Sequence, residues 1–242
     1  MSIPPLTVRP IVHTEHLREW LAIFRALDAR TLTGDPMWTE LELDLGRVTL
    51  SGLHPGASEG EVSLGFETPD LQAYADAVVP MDGMTVEWLT TDDGTSLRVV
   101  GRDGLTFLID ERIPGEPRPA RPAAWVHALW ISTDVAATAQ DLEALGLRTR
   151  ITNVNGRTID LRAAEGDVLV HVDDGGPIGA DVAVDVADLD AAHKALIDAG
   201  IGHDVIDETH GRTLRVPRPG GAGSELWVAQ EDEDPVGVVK HF

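Results

Sequence analysis

The chain has 242 residues, 43% of them hydrophobic, and a formal net charge of −22. This length and composition are typical of one large folded domain or of two smaller ones. The charge argues against nucleic acid and anionic membranes as partners, because phosphate binding requires clustered Lys and Arg. The absence of Cys excludes disulfides, thiolate metal sites and a cysteine nucleophile.

The sequence contains no pattern that indicates export or membrane insertion. The first residues, Met-Ser-Ile-Pro-Pro, lack the basic and then apolar order of a signal peptide. No apolar stretch approaches the roughly 18 residues that span a bilayer. We therefore expect a cytoplasmic protein that has no membrane partner.

The first half of the chain contains two successive units of the same type. A strand at 8–13 precedes a helical apolar pattern at 17–24, and alternating strands follow at 41–45 and 48–53. A second strand at 62–67 precedes Asp70, which is suited to cap a helix at 71–78. Turns then separate three strands at 84–90, 96–100 and 105–109.

A proline-rich stretch at 111–122 ends this half. Its four prolines, Pro114, Pro117, Pro119 and Pro122, preclude regular structure and are typical of a semi-rigid linker. We therefore predict a first domain at 1–112, a linker at 113–123 and a second domain at 124–242.

The second half repeats the order of the first. A strand at 125–133 leads to Asp134 and a helix, and strands follow at 148–154, 157–162 and 168–172, the first two joined by an Asn-Gly hairpin turn. A strand at 181–187 leads to Asp188 and another helix. Strands near 205, at 213–216 and at 225–228 complete the unit. The sequence thus predicts a βαβββ unit four times over, which indicates internal duplication.

This pattern resembles the vicinal oxygen chelate superfamily, which includes glyoxalases, bleomycin-resistance proteins and extradiol dioxygenases. The last unit carries the resemblance best. Asp-Leu-Asp-Ala-Ala at 188–192 opens its helix, and Arg-Pro-Gly-Gly at 218–221 followed by Glu-Leu at 225–226 resembles that superfamily's Asp-Pro-Asp-Gly…Glu-Leu ending. The resemblance implies an α+β fold of two tandem domains. Each would pair two βαβββ modules, with two helices, into an open, curled, eight-stranded mixed sheet around a cleft.

The resemblance also implies where a metal would bind. In that superfamily, ligands often lie on the first strand of each module, seven residues before the acidic residue that opens the helix, and on the last strand. In the second half these positions are His127, Asp181 and Glu225. The same positions in the first half are Val8, Ser63 and Leu108, none of which is a charged ligand, so we expect the first domain to bind no metal.

Strand alternation supports these placements independently of the superfamily. The apolar row Val182, Val184 and Val186 is suited to packing under a helix, so Asp181 and Asp185 should face the cleft. By the same argument Glu225 and Trp227 face the cleft, opposite Leu226 and Val228. The predicted ligand-pocket residues are Leu129, Asp185 and Trp227.

Two functions remain open from the sequence. One is a metal-dependent lyase, isomerase or dioxygenase, with one Zn, Fe, Mn, Ni or Mg ion on His127, Asp181 and Glu225 and with Glu225 as the catalytic residue. His171 is the candidate for a fourth ligand. The other is a metal-free protein that binds or sequesters a cationic drug or metabolite, attracted by the cleft carboxylates. An ion pair from Arg162 or Arg215 to those carboxylates would favour the second function.

Other partners follow from what the sequence lacks. The glycine-rich segment 220–223 joins strand to strand and precedes no helix, so we expect no nucleotide cofactor. The expected partner is a small-molecule substrate or ligand, and the expected assembly is a monomer or homodimer.

Overall fold

The computed structural model describes residues 2–91, 94–115, 121–172, 176–208, 211–221, 224–230 and 237–241. The first half of the chain forms two βαβββ modules. The first module comprises β1 (Thr7–Val8), β2 (Ile11–His13), α1 (Leu17–Ala26), β3 (Arg30–Gly34), β4 (Trp38–Glu42) and β5 (Arg47–Ser51). The second comprises β6 (Val62–Ser63), β7 (Gly65–Thr68), α2 (Leu71–Ala77), β8 (Thr85–Thr91), β9 (Gly94–Val100) and β10 (Thr106–Glu111).

The predicted first strand of each of these modules is divided in two. Pro10 separates β1 from β2, because it has no N–H to donate to a neighbouring strand. Its carbonyl still accepts a hydrogen bond from the Thr49 backbone N–H at 3.0 Å. The chain therefore continues in the same direction, and counting each divided strand once gives the predicted eight strands.

The second half repeats the arrangement with longer first strands. Its third module comprises β11 (Ala124–Ser132), α3 (Val135–Ala144), β12 (Arg148–Asn153), β13 (Thr158–Arg162) and β14 (Asp167–Val172). Its fourth comprises β15 (Gly179–Val186), α4 (Leu189–Asp198), β16 (Asp204–Glu208), β17 (Gly211–Pro217) and β18 (Glu225–Gln230). A further strand that the sequence pattern did not predict, β19 (Val238–Lys240), pairs antiparallel with β12.

Side-chain caps fix the starts of three helices. Asp70, Asp134 and Asp188 each accept a hydrogen bond from the backbone N–H three residues later, at 2.8, 3.0 and 2.9 Å. These bonds satisfy donors that the first turn of a helix leaves without a partner. The caps predicted from the sequence are confirmed.

Strand pairing brings the modules together two by two. In the second half β11 pairs antiparallel with β15, and each pairs in parallel with the last strand of its own module, β14 and β18. In the first half β1 and β2 pair antiparallel with β7 and β6 in the same way. The predicted α+β architecture of paired βαβββ modules is confirmed.

The two halves are joined more closely than tandem domains on a linker. Strand β6 of the first half pairs with β15 of the second through Val62 and Ala180, so that one 14-stranded sheet runs through both. The buried apolar side chains form a single cluster across the two halves. The predicted boundary at 113–123 stays a prediction, because residues 116–120 lie outside the described ranges, as do residues 222–223 of the glycine-rich segment. None of the helices described is both long and apolar enough to cross a bilayer.

Candidate functional site

Three adjacent strands, β11, β15 and β18, carry the predicted site residues. Alternation along β11 buries Val126, Ala128 and Trp130 under the helices and leaves His127 and Leu129 half-buried on the opposite face. In the register, His127 lies opposite Ala183, and Ala183 lies beside Trp227. The cleft-facing residues inferred from strand parity thus share one face of the sheet.

The register places His127 between two aspartates of β15. Asp181 and Asp185 lie two residues to either side of Ala183, so each is a diagonal neighbour of His127 at about 7–8 Å between Cα atoms. Both carboxylates are therefore within reach of the imidazole. The choice between them depends on what else each carboxylate contacts.

His127 bonds to Asp185. Its Nδ1 lies 2.8 Å from Asp185 Oδ2, and its Nε2 lies 3.9 Å from Asp160 Oδ2. Burial of the imidazole lowers its pKa, but the carboxylates of Asp185, Asp160 and Asp167 outweigh burial and raise the pKa of His127 to about 10. The side chain is therefore an imidazolium at neutral pH. Metal coordination requires the neutral ring, so this environment opposes a ligand role.

Asp181 is held by an arginine. Its Oδ1 forms an ion pair with Arg218 Nη2 and also accepts a hydrogen bond from the Val182 backbone N–H at 2.7 Å. The Arg218 side chain is buried, and its guanidinium carbon lies 6.0 Å from the centre of the Trp20 ring on α1. The Asp181 carboxylate is therefore neutralised by a cation that the protein itself supplies.

Glu225 also has an arginine partner. Its Oε2 lies 3.7 Å from Arg215 Nε, and the Arg215 guanidinium lies 4.8 Å from the centre of the Trp227 ring. Glu225 is about a third exposed, with 32% of its side chain accessible, so this pair is screened by solvent. Of the two arginines predicted as internal partners, Arg215 pairs with a site carboxylate and Arg162 pairs with Asp167 instead.

The residues present do not fit a divalent ion in this arrangement. His127, Asp181 and Glu225 each contact a different partner, and within the described part of the chain no three His, Asp or Glu side chains are grouped to hold one metal. His171, the candidate fourth ligand, lies on β14 opposite Ile131. That is four residues along the strand from the level of His127, or about 13 Å.

The charged partners of His127 and Asp181 beyond β11 and β15 were not predicted from the sequence. Asp160 on β13 is 8% exposed and lies between His127 and Arg150, whose Nη2 forms an ion pair with it. Burial raises the pKa of Asp160, while His127 and Arg150 act in the opposite direction. Strand parity offers a signal for Asp160, because it alternates with the buried Leu161. The Arg218 partner of Asp181 has no such signal, since it follows the end of β17.

The corresponding cleft of the first half is filled by charged side chains. Arg9 is buried with Glu40 at 3.6 Å, Glu67 at 3.5 Å and a further pair to Asp110. Burial raises the pKa of Glu67, while Arg9 and Arg47 act to lower it. The carboxylates of this network are therefore paired with arginines of the protein itself.

The predicted ligand slots of the first half contribute no charged group. Val8 is fully buried and Leu108 is half-buried on β10. Ser63 Oγ lies 3.0 Å from His13 Nε2.

Comparison with known proteins supports the fold. No protein-family model matches the chain, and no curated protein matches it in sequence. Among solved structures, homoprotocatechuate 2,3-dioxygenase from Arthrobacter globiformis is 16% identical with a TM-score of 0.62, covering 98% of this chain and 83% of its own. The Mn(II)-bound glyoxalase from Novosphingobium aromaticivorans is 17% identical with a TM-score of 0.61, covering 98% of this chain and 85% of its own.

A third similar structure is a substrate complex. Homoprotocatechuate 2,3-dioxygenase from Brevibacterium fuscum, with 3,4-dihydroxyphenylacetate, is 14% identical with a TM-score of 0.61 and covers 96% of this chain and 88% of its own. Extradiol dioxygenases and glyoxalases belong to the vicinal oxygen chelate superfamily. The chain therefore has the vicinal oxygen chelate fold.

Proposed function

We propose that the protein binds a small organic molecule in the C-terminal cleft without a divalent metal at the predicted position. The ion pair between Asp181 and Arg218 is the observation that carries this proposal. It places a protein cation on the carboxylate that a metal would need. A metal would have to displace Arg218 before it could bind, and leaving the buried Arg218 guanidinium without its carboxylate costs free energy.

The charge balance of the cleft indicates which ligands it suits. Asp181 has Arg218, Asp185 has the imidazolium of His127, and Glu225 has Arg215. Because each of these three described carboxylates has a cationic partner, together they carry no unpaired negative charge that would attract a cationic drug. This balance favours a neutral or anionic ligand over the cationic one expected from the sequence.

Trp227 supplies the contact surface for such a ligand. Its ring lies on the cleft face of β18, beside Ala183 in the register, and is 45% exposed. An exposed indole provides a flat surface on which a planar ring can stack. An aromatic acid therefore fits both the charge and the shape of the cleft.

A ligand titration tests the binding part of the proposal. The probe is 3,4-dihydroxyphenylacetate, the molecule bound to the Brevibacterium fuscum enzyme. We expect saturable quenching of tryptophan fluorescence that is lost in Trp227→Leu and kept in Trp88→Leu, a matched control because Trp88 is exposed in the first half. Equal quenching in both variants would place binding outside the C-terminal cleft.

A metal titration tests the proposal that the C-terminal cleft holds no divalent metal. We expect purified protein to hold no stoichiometric Mn²⁺, Fe²⁺ or Zn²⁺ and its melting temperature to be unchanged when each ion is added. The double variant Asp181→His/Arg218→Asp removes the ion pair and supplies an imidazole, so it should gain metal affinity. One equivalent of metal that stabilises wild type but not Glu225→Gln would instead support the metal-dependent enzyme, as would oxygen consumption with Fe²⁺ and the catechol probe.

A further inference from the structure

A groove lies beside the C-terminal cleft, towards the outer edge of the sheet. This groove has a volume of about 620 Å³ and lies between residues 3–6 and the strands β12 and β13. The Leu6 carbonyl holds one wall in place by accepting hydrogen bonds from the Ala164 and Glu165 backbone N–H groups at 3.1 and 3.3 Å. These hydrogen bonds hold the segment 3–6 against the end of β13, so the two walls of the groove are joined through the backbone.

The ionisable residues described in the groove wall are three arginines and one histidine. They are Arg148, Arg150, Arg162 and His241. Such a set is unusual in a chain whose formal net charge is −22. The remaining described wall is mainly apolar and includes Ile3, the two prolines that follow it and the two alanines after Arg162.

Two of these arginines face each other across the sheet. Arg148 on β12 and Arg162 on β13 are directly opposed in the antiparallel register. Like charges in directly opposed positions destabilise a strand pair unless something negative lies near both. The strand pairing thus holds two guanidinium groups side by side at the groove.

Arg148 differs from the other two arginines of the groove in its contacts. Asp167 accepts two hydrogen bonds from Arg162, at 2.9 and 3.0 Å, and Asp160 pairs with Arg150. Arg148 forms no ion pair with any residue in the described ranges. Its guanidinium charge is therefore available to a ligand in the groove.

We propose that this groove is a binding site for a small organic anion. Its carboxylate or phosphate group would contact Arg148 and Arg162, whose planar guanidinium groups suit two-point contact with such anions. Its apolar part would lie against residues 3–6. The site does not depend on the function proposed for the C-terminal cleft, since Trp227 and Leu129 do not line it.

Three probes define the ligand class. Benzoate carries a carboxylate on an apolar ring, phenyl phosphate carries a phosphate on the same ring, and inorganic phosphate has no apolar part. Each is titrated by calorimetry and by NMR chemical shifts at constant ionic strength, so that general screening is the same in every titration. We expect saturable binding of at least one aromatic anion, and which one binds more tightly identifies the headgroup. If inorganic phosphate bound as tightly as benzoate and phenyl phosphate, the apolar wall would contribute nothing to binding, and that part of the proposal would be wrong.

Arg148→Gln is the decisive variant. Its side chain is exposed and has no ion pair among described residues, so the substitution should leave the melting temperature unchanged. Loss of a charged hydrogen bond to the anion should weaken binding by about tenfold or more, and Arg148→Lys should recover part of it. Arg162→Gln should weaken binding similarly, although it also removes the partner of buried Asp167. Arg98→Gln, an exposed arginine of the first half, is the control and should bind as wild type.

Three other results would contradict the proposed groove site. Saturable binding by none of the three probes would overturn the proposal. So would an Arg148→Gln variant that binds the aromatic anions as tightly as wild type. Benzoate binding that is lost in Trp227→Leu and kept in Arg148→Gln would assign the anion to the C-terminal cleft, which would support the proposed function and reject the groove.

Discussion

Asp181 and Arg218 are two residues at which this chain differs from the pattern that its sequence resembles. In the superfamily that the sequence resembles, histidine is more usual at the position of Asp181, and Arg218 stands at the first position of the Asp-Pro-Asp-Gly ending. The structure brings the two side chains into one ion pair. Either change alone would leave a charge without a partner, Arg218 in a buried position and Asp181 in a half-buried one. Together the changes compensate each other, which explains how both can occur in one folded chain.

A double-mutant cycle measures this compensation. We expect Asp181→Asn and Arg218→Gln each to lower the free energy of unfolding, and the double variant to lose less than the sum by about 1 kcal/mol, a value reduced because 34% of the Asp181 side chain is exposed. Urea unfolding of the four proteins gives the coupling. The more exposed pair Lys194 and Asp198 on α4 is the reference, with an expected coupling of about 0.3–0.5 kcal/mol. A coupling near zero for Asp181 and Arg218 would remove the basis for calling the changes compensatory.

The charge on His127 predicts a pH dependence of stability. Its pKa is raised from 6.5 to about 10 in the folded protein, so the folded state binds this proton more tightly than the unfolded chain does. The resulting stabilisation is complete below about pH 6.5 and is lost as the pH rises through about 10. The stability difference between wild type and His127→Gln should therefore shrink from pH 6 to pH 10.

Urea unfolding of wild type and His127→Gln at several pH values checks this. An NMR titration of the His127 ring gives the pKa directly. A midpoint near 6.5 would contradict the buried imidazolium and would restore the ring as a candidate metal ligand.

At the scale of elements, the sequence predicted what local patterns determine. Helices followed from apolar spacing and from the aspartates that cap them, and strands followed from alternation between turns. Two features depended on distant parts of the chain and were missed. The three residues of β19 are too few for a periodic pattern, and they form a strand only because β12 offers an edge. The pairing of Arg218 with Asp181 joins residues 37 positions apart.

The capping aspartates give a test at this scale. Asp134→Ala removes the acceptor for the Ala137 backbone N–H at the start of α3 and should lower the free energy of unfolding by about 1 kcal/mol. Asp134→Asn keeps an oxygen acceptor and should lose only a small part of that. Thermal and urea unfolding compare the two. Equal losses in both variants would indicate that charge near the helix start, rather than the hydrogen bond, stabilises α3.

At the scale of the whole molecule, the halves share buried polar contacts as well as a sheet and a core. Asp141 on α3 is fully buried and accepts hydrogen bonds from the Arg102 backbone N–H at 3.0 Å and from Arg102 Nε at 2.6 Å. The Tyr74 hydroxyl donates to the Leu145 carbonyl at 2.9 Å in the same region. Separating the halves would expose these groups without their partners. The sequence pattern of two tandem units gave no indication of this contact, because it connects side chains of different units.

These shared contacts predict that the chain unfolds as one cooperative unit. Arg102→Ala leaves the Asp141 carboxylate buried without its cation, which should cost about 2–3 kcal/mol and lower the melting temperature by about 5–10 °C. Because Arg102 belongs to the first half and Asp141 to the second, calorimetry should show a single transition in wild type and a single, earlier transition in the variant. The exposed control Arg98→Ala should shift the transition by no more than about 1 °C. Two separable transitions, only one of which moves in Arg102→Ala, would show that the halves fold independently despite the continuous sheet.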